Sequence, residues 1–277
     1  MPELPEVQTI VSELKNEIVG KKIAEVNYNL PKMVVGDIKK IIGAKIASVS
    51  RRAKIIIVKL GGGLNLLFHL KMTGQLIYLP AGKDKTKVGE RINKYTHVIF
   101  KLSDGSRLLF NDLRQFGWVK IFGTEDLKKA INKEKYGPEP LSKEFTLAKF
   151  QQMLAQKPNA KIKPLLMDQS FIAGIGNIYS DEILYFAKVH PLKKVKDLNQ
   201  KDIEKIYEGI LKILRAAILA KGTSIDTYRR TTGEKGTYAL KRQVYQRKGL
   251  PCYHCQGKVQ TVKIGGRTAH FCPGCQK

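Results

Sequence analysis

The spacing of apolar residues changes period part-way along this chain, and no other feature constrains its fold as strongly. Up to residue 122, short β-rich runs alternate with turn residues. The runs cover 24–28, 46–49, 54–60, 64–70, 75–79, 96–100, 107–111 and 118–122. The run from Lys54 to Leu60, the triplet Gly61-Gly62-Gly63 and the run 64–70 read as a hairpin, and Ser103-Asp104-Gly105-Ser106 joins two further strands. After Tyr136-Gly137-Pro138-Glu139-Pro140 the apolar residues recur every three or four positions instead. Helices are predicted over 145–154, 163–167, 178–186 and 203–220, the last with Ile206, Ile210, Leu214 and Ala217 along one face. Many short strands need a facing sheet to bury one side, and helices segregated from them give an α+β chain. The prediction is two domains: an N-terminal antiparallel β-sandwich over 1–130, a linker over 131–140, a helical domain over 141–240 and a terminal module over 241–277. A leading amphipathic helix flanks the sandwich, carrying Val7, Ile10, Val11, Leu14 and Ile18, and Gly20 ends it.

All four cysteines lie in the last 26 residues, as Cys252-x-x-Cys255 and Cys272-x-x-Cys275 with 16 residues between the pairs. The N-terminus lacks the order of a signal peptide, and no apolar run approaches the ~20 residues of a membrane span. A cytoplasmic location follows as the expectation, and there paired Cys-x-x-Cys turns read as a tetrahedral zinc site rather than two disulfides. Gly265-Gly266 can reverse the chain between the knuckles. His254 and His270 stand nearby as bystanders, since four thiolates complete the shell.

Lysines and arginines number 50 against 24 acids, a formal net charge of +26. Solubility needs far less, so a polyanionic partner is implied, nucleic acid or an anionic membrane surface. A generally lysine-rich proteome is the bland alternative. The charge is concentrated over residues 216–277, with 12 Lys/Arg and 2 Asp/Glu, interleaved with Tyr228, Tyr238, Tyr245 and Tyr253. Cations contact phosphates and aromatic faces stack on bases.

The first six residues are Met1-Pro2-Glu3-Leu4-Pro5-Glu6. Removal of Met1 would make the Pro2 ring nitrogen a free secondary amine, with an α-amino pKa near ~8 against ~10.4 for lysine. Such an amine attacks an aldehyde carbon to give an iminium, and Glu3 and Glu6 are close enough in sequence to move protons. The same residues also make an ordinary helix start. Other positions carry similar alternatives. Gly174-Ile175-Gly176-Asn177 is a phosphate-binding turn or simply a tight one. Lys54 reaches into a cleft or protects a strand edge. Met72, Arg114 and Phe116 are tools for refilling a base stack or surface filler.

Taken together, Pro2-Glu3-Leu4-Pro5-Glu6, Arg51-Arg52-Ala53-Lys54, His69-Leu70-Lys71-Met72-Thr73-Gly74, Gly174-Ile175-Gly176-Asn177-Ile178-Tyr179 and the cysteine tail resemble, in order and from end to end, the bacterial formamidopyrimidine-DNA glycosylases. The segments Tyr136-Gly137-Pro138-Glu139-Pro140-Leu141 and Val244-Tyr245-Gln246-Arg247-Lys248-Gly249 add to the likeness. The resemblance implies a base-excision repair enzyme for oxidised purines in duplex DNA, with abasic-site lyase activity, acting as a monomer associated with the nucleoid. It implies a catalytic sandwich, a helix-two-turns-helix domain and a β-hairpin zinc finger with one structural Zn²⁺. It assigns Pro2 as Schiff-base nucleophile, Glu3 as its acid/base partner, Lys54 to β-elimination and Arg267 to δ-elimination and phosphate binding. Lys163 and Asn177 would meet phosphate. Met72, Arg114 and Phe116 would occupy the space left by the everted nucleotide, and residues 223–238 would cover the damaged base.

Three places depart from the family pattern. Tyr95 stands where a histidine is usual, leaving DNA contact to its hydroxyl. Leu113 and Gln115 replace a proline and an arginine in Asp112-Leu113-Arg114-Gln115-Phe116-Gly117. Lys157-Pro158-Asn159 is less basic than usual. The alternatives are an endonuclease VIII-type enzyme for oxidised pyrimidines and a non-catalytic zinc-containing DNA-binding protein.

Overall fold

The computed structural model describes residues 1–82 and 92–277. Glu3 and Glu6 form a capping box at the start of α1 (Leu4–Ile18), with Pro5 in its first turn. Val7, Ile10, Val11, Leu14 and Ile18 form the buried stripe of α1. Gly20, at φ 89°, ends the helix in the left-handed region that glycine adopts freely.

The strands that follow are β1 (Ile23–Tyr28), β2 (Val34–Val35), β3 (Ile46–Arg52), β4 (Ile55–Leu60), β5 (Leu64–His69), β6 (Gly74–Leu79), β7 (Thr96–Leu102), β8 (Arg107–Asp112) and β9 (Trp118–Gly123). They build two sheets, ordered β1-β7-β8-β6 and β2-β9-β5-β4-β3. Pairing is antiparallel except for the short parallel contact of β2 with β9. Phe68 of β5 meets Phe100 of β7 and Phe110 of β8 edge-on, with centroids 5.6 and 6.0 Å apart. These rings join the two sheets, and burial stabilises by roughly 1.5–3 kcal/mol per large apolar side chain. The buried stripe of α1 belongs to the same core. The predicted sandwich with its flanking helix is therefore present. Two elements were not legible. The two-residue β2 is too short to show a period, and α2 (Thr124–Lys133) buries none of its residues fully, its apolar stripe being only the single turn Leu127, Ala130 and Ile131.

The chain divides into two compact units, Met1–Glu134 with Ile218–Ala239, and Lys135–Ala217 with Leu240–Lys277. This corrects two expected boundaries. The predicted linker 131–140 is helical as far as Lys133, and its second half is docked. Gly137 N–H donates to Gln169 O (2.9 Å) and Ala173 N–H to Pro138 O (3.0 Å). A Cβ on Gly137 would lie 2.4 Å from Phe171 O, so only glycine permits that approach. Residues 218–239, predicted to lie with the helical domain, pack in the first unit. Their anchors are polar. Glu6 Oε1 accepts Thr223 N–H (2.7 Å), Glu13 accepts Arg230 Nε (2.7 Å) and Thr231 N–H (3.1 Å), and Tyr78 N–H of β6 donates to Thr231 O (2.8 Å).

The second unit holds α3 (Leu147–Ala155), α4 (Ile162–Met167), α5 (Asn177–Ala187) and most of α6 (Gln200–Leu219), then the hairpin of β10 (Gln260–Ile264) and β11 (Arg267–Phe271). Two turns separate α4 from α5, and Gln169 organises them. Its Nε2 donates to Met167 O and Ile175 O (both 2.8 Å), and its Oε1 accepts Gly174 N–H (2.9 Å). Glu182 of α5 is 1% exposed and accepts the N–H groups of Gln243, Val244 and Tyr245 at 2.8–3.0 Å. That fastens the chain leading into the hairpin. Among the described residues no helix is long and apolar enough to cross a membrane.

Candidate active site and nucleic-acid interface

Pro2 and Glu3 sit where the chain enters α1, and both are buried. Glu6 holds that entry in place. Its Oε2 accepts Glu3 N–H (2.8 Å) while its Oε1 accepts Thr223 N–H (2.7 Å). Both carboxylate oxygens are thereby engaged with the backbone. Glu6, read from sequence as a second proton carrier, is a clasp between the N-terminus and the segment 221–228. Gly222, at φ 82°, makes the clasp possible, because a Cβ there would lie 2.9 Å from Glu6 Oε1.

Lys54 immediately precedes β4 and follows Ala53, which turns the chain at φ 51°. It is 6% exposed, which is deeper than a lysine placed only to guard a strand edge. Nearby His69 accepts Lys71 N–H at Nδ1 (2.9 Å), and Lys71 adopts φ 49°. Burial, with the charges of Lys71, Lys54 and Lys120, holds the His69 imidazole down at about 3. The ring is neutral at physiological pH, with its proton on Nε2.

The turns that follow β5 and β8 carry the predicted stack-filling set. Met72 is 39% exposed and Phe116 54%, unusual for side chains of this size. The Arg114 guanidinium lies 4.7 Å from the centre of the Phe116 ring, in cation–π contact. Arg114 N–H donates to Thr73 Oγ1 (2.9 Å), so the two turns are directly joined. Tyr95 is half-buried beside the same place, its carbonyl accepting Asp112 N–H (2.8 Å). The segment 223–238 reaches this region as well, with Gln75 Nε2 donating to Thr227 O.

In the second unit Asn177 opens α5. Its Oδ1 accepts Lys163 Nζ (2.8 Å), and its Nδ2 donates to Thr268 O on the hairpin (3.1 Å). Lys163 differs from expectation. Rather than offering a free ammonium to phosphate, it is 1% exposed and ion-paired to Asp181. The other Asp181 oxygen, Oδ2, accepts His270 N–H (2.9 Å) and lies 3.0 Å from His270 Nδ1. One buried carboxylate therefore ties α4 and α5 to β11. Arg267 is exposed at the hairpin tip, just after Gly265 and Gly266 at φ 53° and 74°.

The four Sγ atoms of Cys252, Cys255, Cys272 and Cys275 lie within 4.8 Å of one another. Cys252 and Cys275 are 3.8 Å apart, and Cys255 and Cys272 3.4 Å. A tetrahedral ion with ~2.3 Å bonds to sulfur sets its ligands ~3.8 Å apart, so the cluster can hold one. Thiol chemistry agrees. Burial disfavours a Cys252 thiolate, yet hydrogen bonds from Tyr185 and from the Cys255 and His254 N–H groups bring it down to about 6. Burial and the neighbouring thiols push Cys275 up, a strain that a divalent cation relieves. His270 is turned to Asp181, in keeping with a bystander role.

Asp112, Asp181 and Glu182 carried no signal of their own in the sequence, although Asp112 stood at the head of a quoted segment. Lone acids have neither period nor spacing.

Comparison with known proteins matches this arrangement along its length. The family model for the formamidopyrimidine-DNA glycosylase N-terminal domain matches residues 1–119, and the H2TH domain of the same enzymes matches residues 136–229. A formamidopyrimidine-DNA glycosylase of Heliobacterium modesticaldum is 39% identical over 283 residues, covering 100% of both chains. The structure resembles that of Lactococcus lactis Fpg in complex with an abasic site containing DNA, with TM-score 0.89, 36% identity and 99% of each chain covered. It resembles MutM in complex with carbocyclic 8-oxo-G containing DNA equally well, with TM-score 0.89, 35% identity and 100% of each chain covered. The chain belongs to the formamidopyrimidine-DNA glycosylase family.

Proposed function

We propose that this chain excises oxidised purines from double-stranded DNA and then cleaves the strand, with Pro2 as the nucleophile. The observation that carries the reading is the start of the chain itself. Pro2 and Glu3 are buried, and Glu6 fastens that entry by accepting Glu3 N–H with one carboxylate oxygen and Thr223 N–H with the other. A helix start with no other duty has no need of such a clasp to a segment more than two hundred residues away. Support comes from the damaged-DNA complexes of the structural relatives.

The chemistry runs from the residues. A base inside a duplex is out of reach, so the nucleotide is extruded at a cost of a few kcal/mol. Met72, Arg114 and Phe116 refill the gap, Arg114 facing the orphaned base. The Pro2 nitrogen forms a bond to C1′ as the glycosidic bond breaks, and the base leaves with a proton. Glu3 protonates the ring oxygen, the sugar opens, and the iminium acidifies C2′. Loss of the C2′ proton expels the 3′ phosphate, and a second elimination expels the 5′ phosphate. Lys54 and Arg267 are the cations for these two departures. Asn177 contacts phosphate directly, and Lys163 supports it from beneath rather than meeting DNA itself. Tyr95 completes the contacts as a hydroxyl donor. Zn²⁺, bound by the four cysteines, supplies structural cross-linking of the hairpin that presents Arg267. The protein acts as a monomer.

Borohydride reduction tests the reading. Protein whose mass confirms loss of Met1, mixed with abasic-site DNA, is expected to form a covalent adduct. No adduct would refute the proposal. A competition assay settles the lesion class: 8-oxoguanine opposite cytosine is expected to be cleaved in preference to thymine glycol, and the reverse order would point to an endonuclease VIII-type specificity.

A further inference from the structure

The turns that present Met72 and Arg114 to Phe116 share one buried anchor. Asp112, the last residue of β8, is 1% exposed. Its Oδ1 accepts the Thr73 hydroxyl and the Arg114 N–H (3.2 Å), and its Oδ2 accepts the Gly117 N–H (2.7 Å). Thr73 closes the triangle, because the oxygen that donates to Asp112 also accepts the Arg114 N–H (2.9 Å). The anchor is itself fixed. Asp112 N–H donates to Tyr95 O (2.8 Å), and His97 Nε2 lies 3.0 Å from Asp112 O.

Between the two captured N–H groups, Gln115 adopts φ 56°. A residue with a side chain holds that left-handed conformation only when its surroundings impose it. Gly117 is equally constrained, since a Cβ there would lie 2.7 Å from the Phe110 ring and 3.0 Å from Asp112 Oδ2. The turn that lacks a proline at Leu113 is therefore stiffened by hydrogen bonds to one carboxylate.

We propose that Asp112 is a positioning residue, which locks the Thr73 turn to the 113–117 turn so that Met72, Arg114 and Phe116 act as one preorganised set. The inference rests on reading those three side chains as the ones that refill the base stack. Preorganisation matters because a set that must first be ordered spends part of its binding free energy on that ordering. Asp112 touches neither substrate nor reacting atoms.

Two substrates separate this role from a general contribution to folding. Single-turnover excision of 8-oxoguanine from a duplex requires the stack to be refilled, whereas cleavage of a preformed abasic site in single-stranded DNA does not. Asp112→Asn places an amide donor against donors. Thr73→Val removes the linking hydroxyl, and Thr73→Ser restores it. Asp112→Asn and Thr73→Val are expected to slow duplex excision about tenfold or more, the loss of one hydrogen bond to a charged group. Single-strand cleavage is expected to stay within about twofold, a span that corresponds to less than one such bond. Thr73→Ser is expected to recover most of the duplex rate. Equal slowing on both substrates, or duplex excision unchanged in either variant, would overturn the inference. Should Asp112→Asn fail to fold, the Thr73→Val and Thr73→Ser pair decides alone. Wild-type protein that cleaves neither substrate would remove the glycosylase reading, and this inference with it.

Discussion

Asp112 in the first unit and Asp181 in the second are both buried carboxylates, yet they are satisfied in different ways. Asp112 is surrounded by neutral donors, one hydroxyl and two backbone N–H groups. Asp181 is paired with the Lys163 ammonium and with both the backbone and ring of His270. Neutral donors define direction, so Asp112 shapes two short turns at close range. A buried ion pair offsets the desolvation of two charges, so Asp181 cross-links whole elements, α4 and α5 with β11. Asp112 thus shapes presentation through hydrogen bonds, and Asp181 secures a scaffold through charge. The proposed nucleophile belongs to the first pattern, because Glu6 holds the chain just after Pro2 through the N–H groups of Glu3 and Thr223.

The largest effect should come from separating chemistry from scaffold. Pro2→Gly is expected to reduce strand cleavage by about a hundredfold or more, on the scale of losing a positioned catalytic group. Gel-shift affinity for damaged DNA should persist. Cys272→Ala should do the reverse, lowering affinity while protein that still binds retains its borohydride-trappable amine. Affinity unchanged in a metal-free form would contradict the structural role of the cysteine site.

Next in size is the buried ion pair. Asp181→Ala removes the carboxylate that balances the buried Lys163 charge and is expected to destabilise the protein by about 3–5 kcal/mol in denaturant unfolding. Replacing both partners, Asp181→Leu with Lys163→Met, should recover most of that stability. It should still lose DNA affinity, because Asn177 Oδ1 loses the Lys163 ammonium and His270 on the hairpin loses its carboxylate. If Asp181→Ala cost no more than the ~1–3 kcal/mol of a neutral unsatisfied group, the contrast between the two carboxylates would collapse.

Near neutral pH the smallest effect is a pH dependence in the first unit. His69 is held at about 3 in the folded protein, below the ordinary 6.5. Above that ordinary value neither folded nor unfolded protein carries the charge. As pH falls below it, the unfolded chain gains a proton that the folded one refuses, so stability falls toward pH 3. The melting temperature should decline over that window, and His69→Asn, which can still accept Lys71 N–H, should flatten the decline. An unchanged slope would show that His69 does not titrate in this way.

Much of the fold was readable because local periodicity encodes burial. The helix α1, eight of the nine strands of the first unit, the long helices and the cysteine hairpin all announce themselves by spacing. Candidate site residues were legible where several stood in one short segment, as in Pro2-Glu3 or Met72-Thr73-Gly74. What escaped was single polar side chains acting over long sequence separations. Glu6 and Glu13 draw residues 218–239 into the first unit, against the expectation that they follow the helical domain. Part of the apparent linker is docked by backbone hydrogen bonds at long separation, Gly137 N–H to Gln169 O and Ala173 N–H to Pro138 O, which leave no mark in local spacing.

The sequence by itself determined which stretches become strand, helix or cysteine knuckle, because those properties follow from composition and near-neighbour spacing. Only the tertiary structure decided what each carboxylate does. Glu6 becomes a clasp, Asp112 an anchor for two turns and Asp181 the partner that buries Lys163. The reason is physical: the role of a buried charge is set by the donors that surround it, and those donors are brought together by folding.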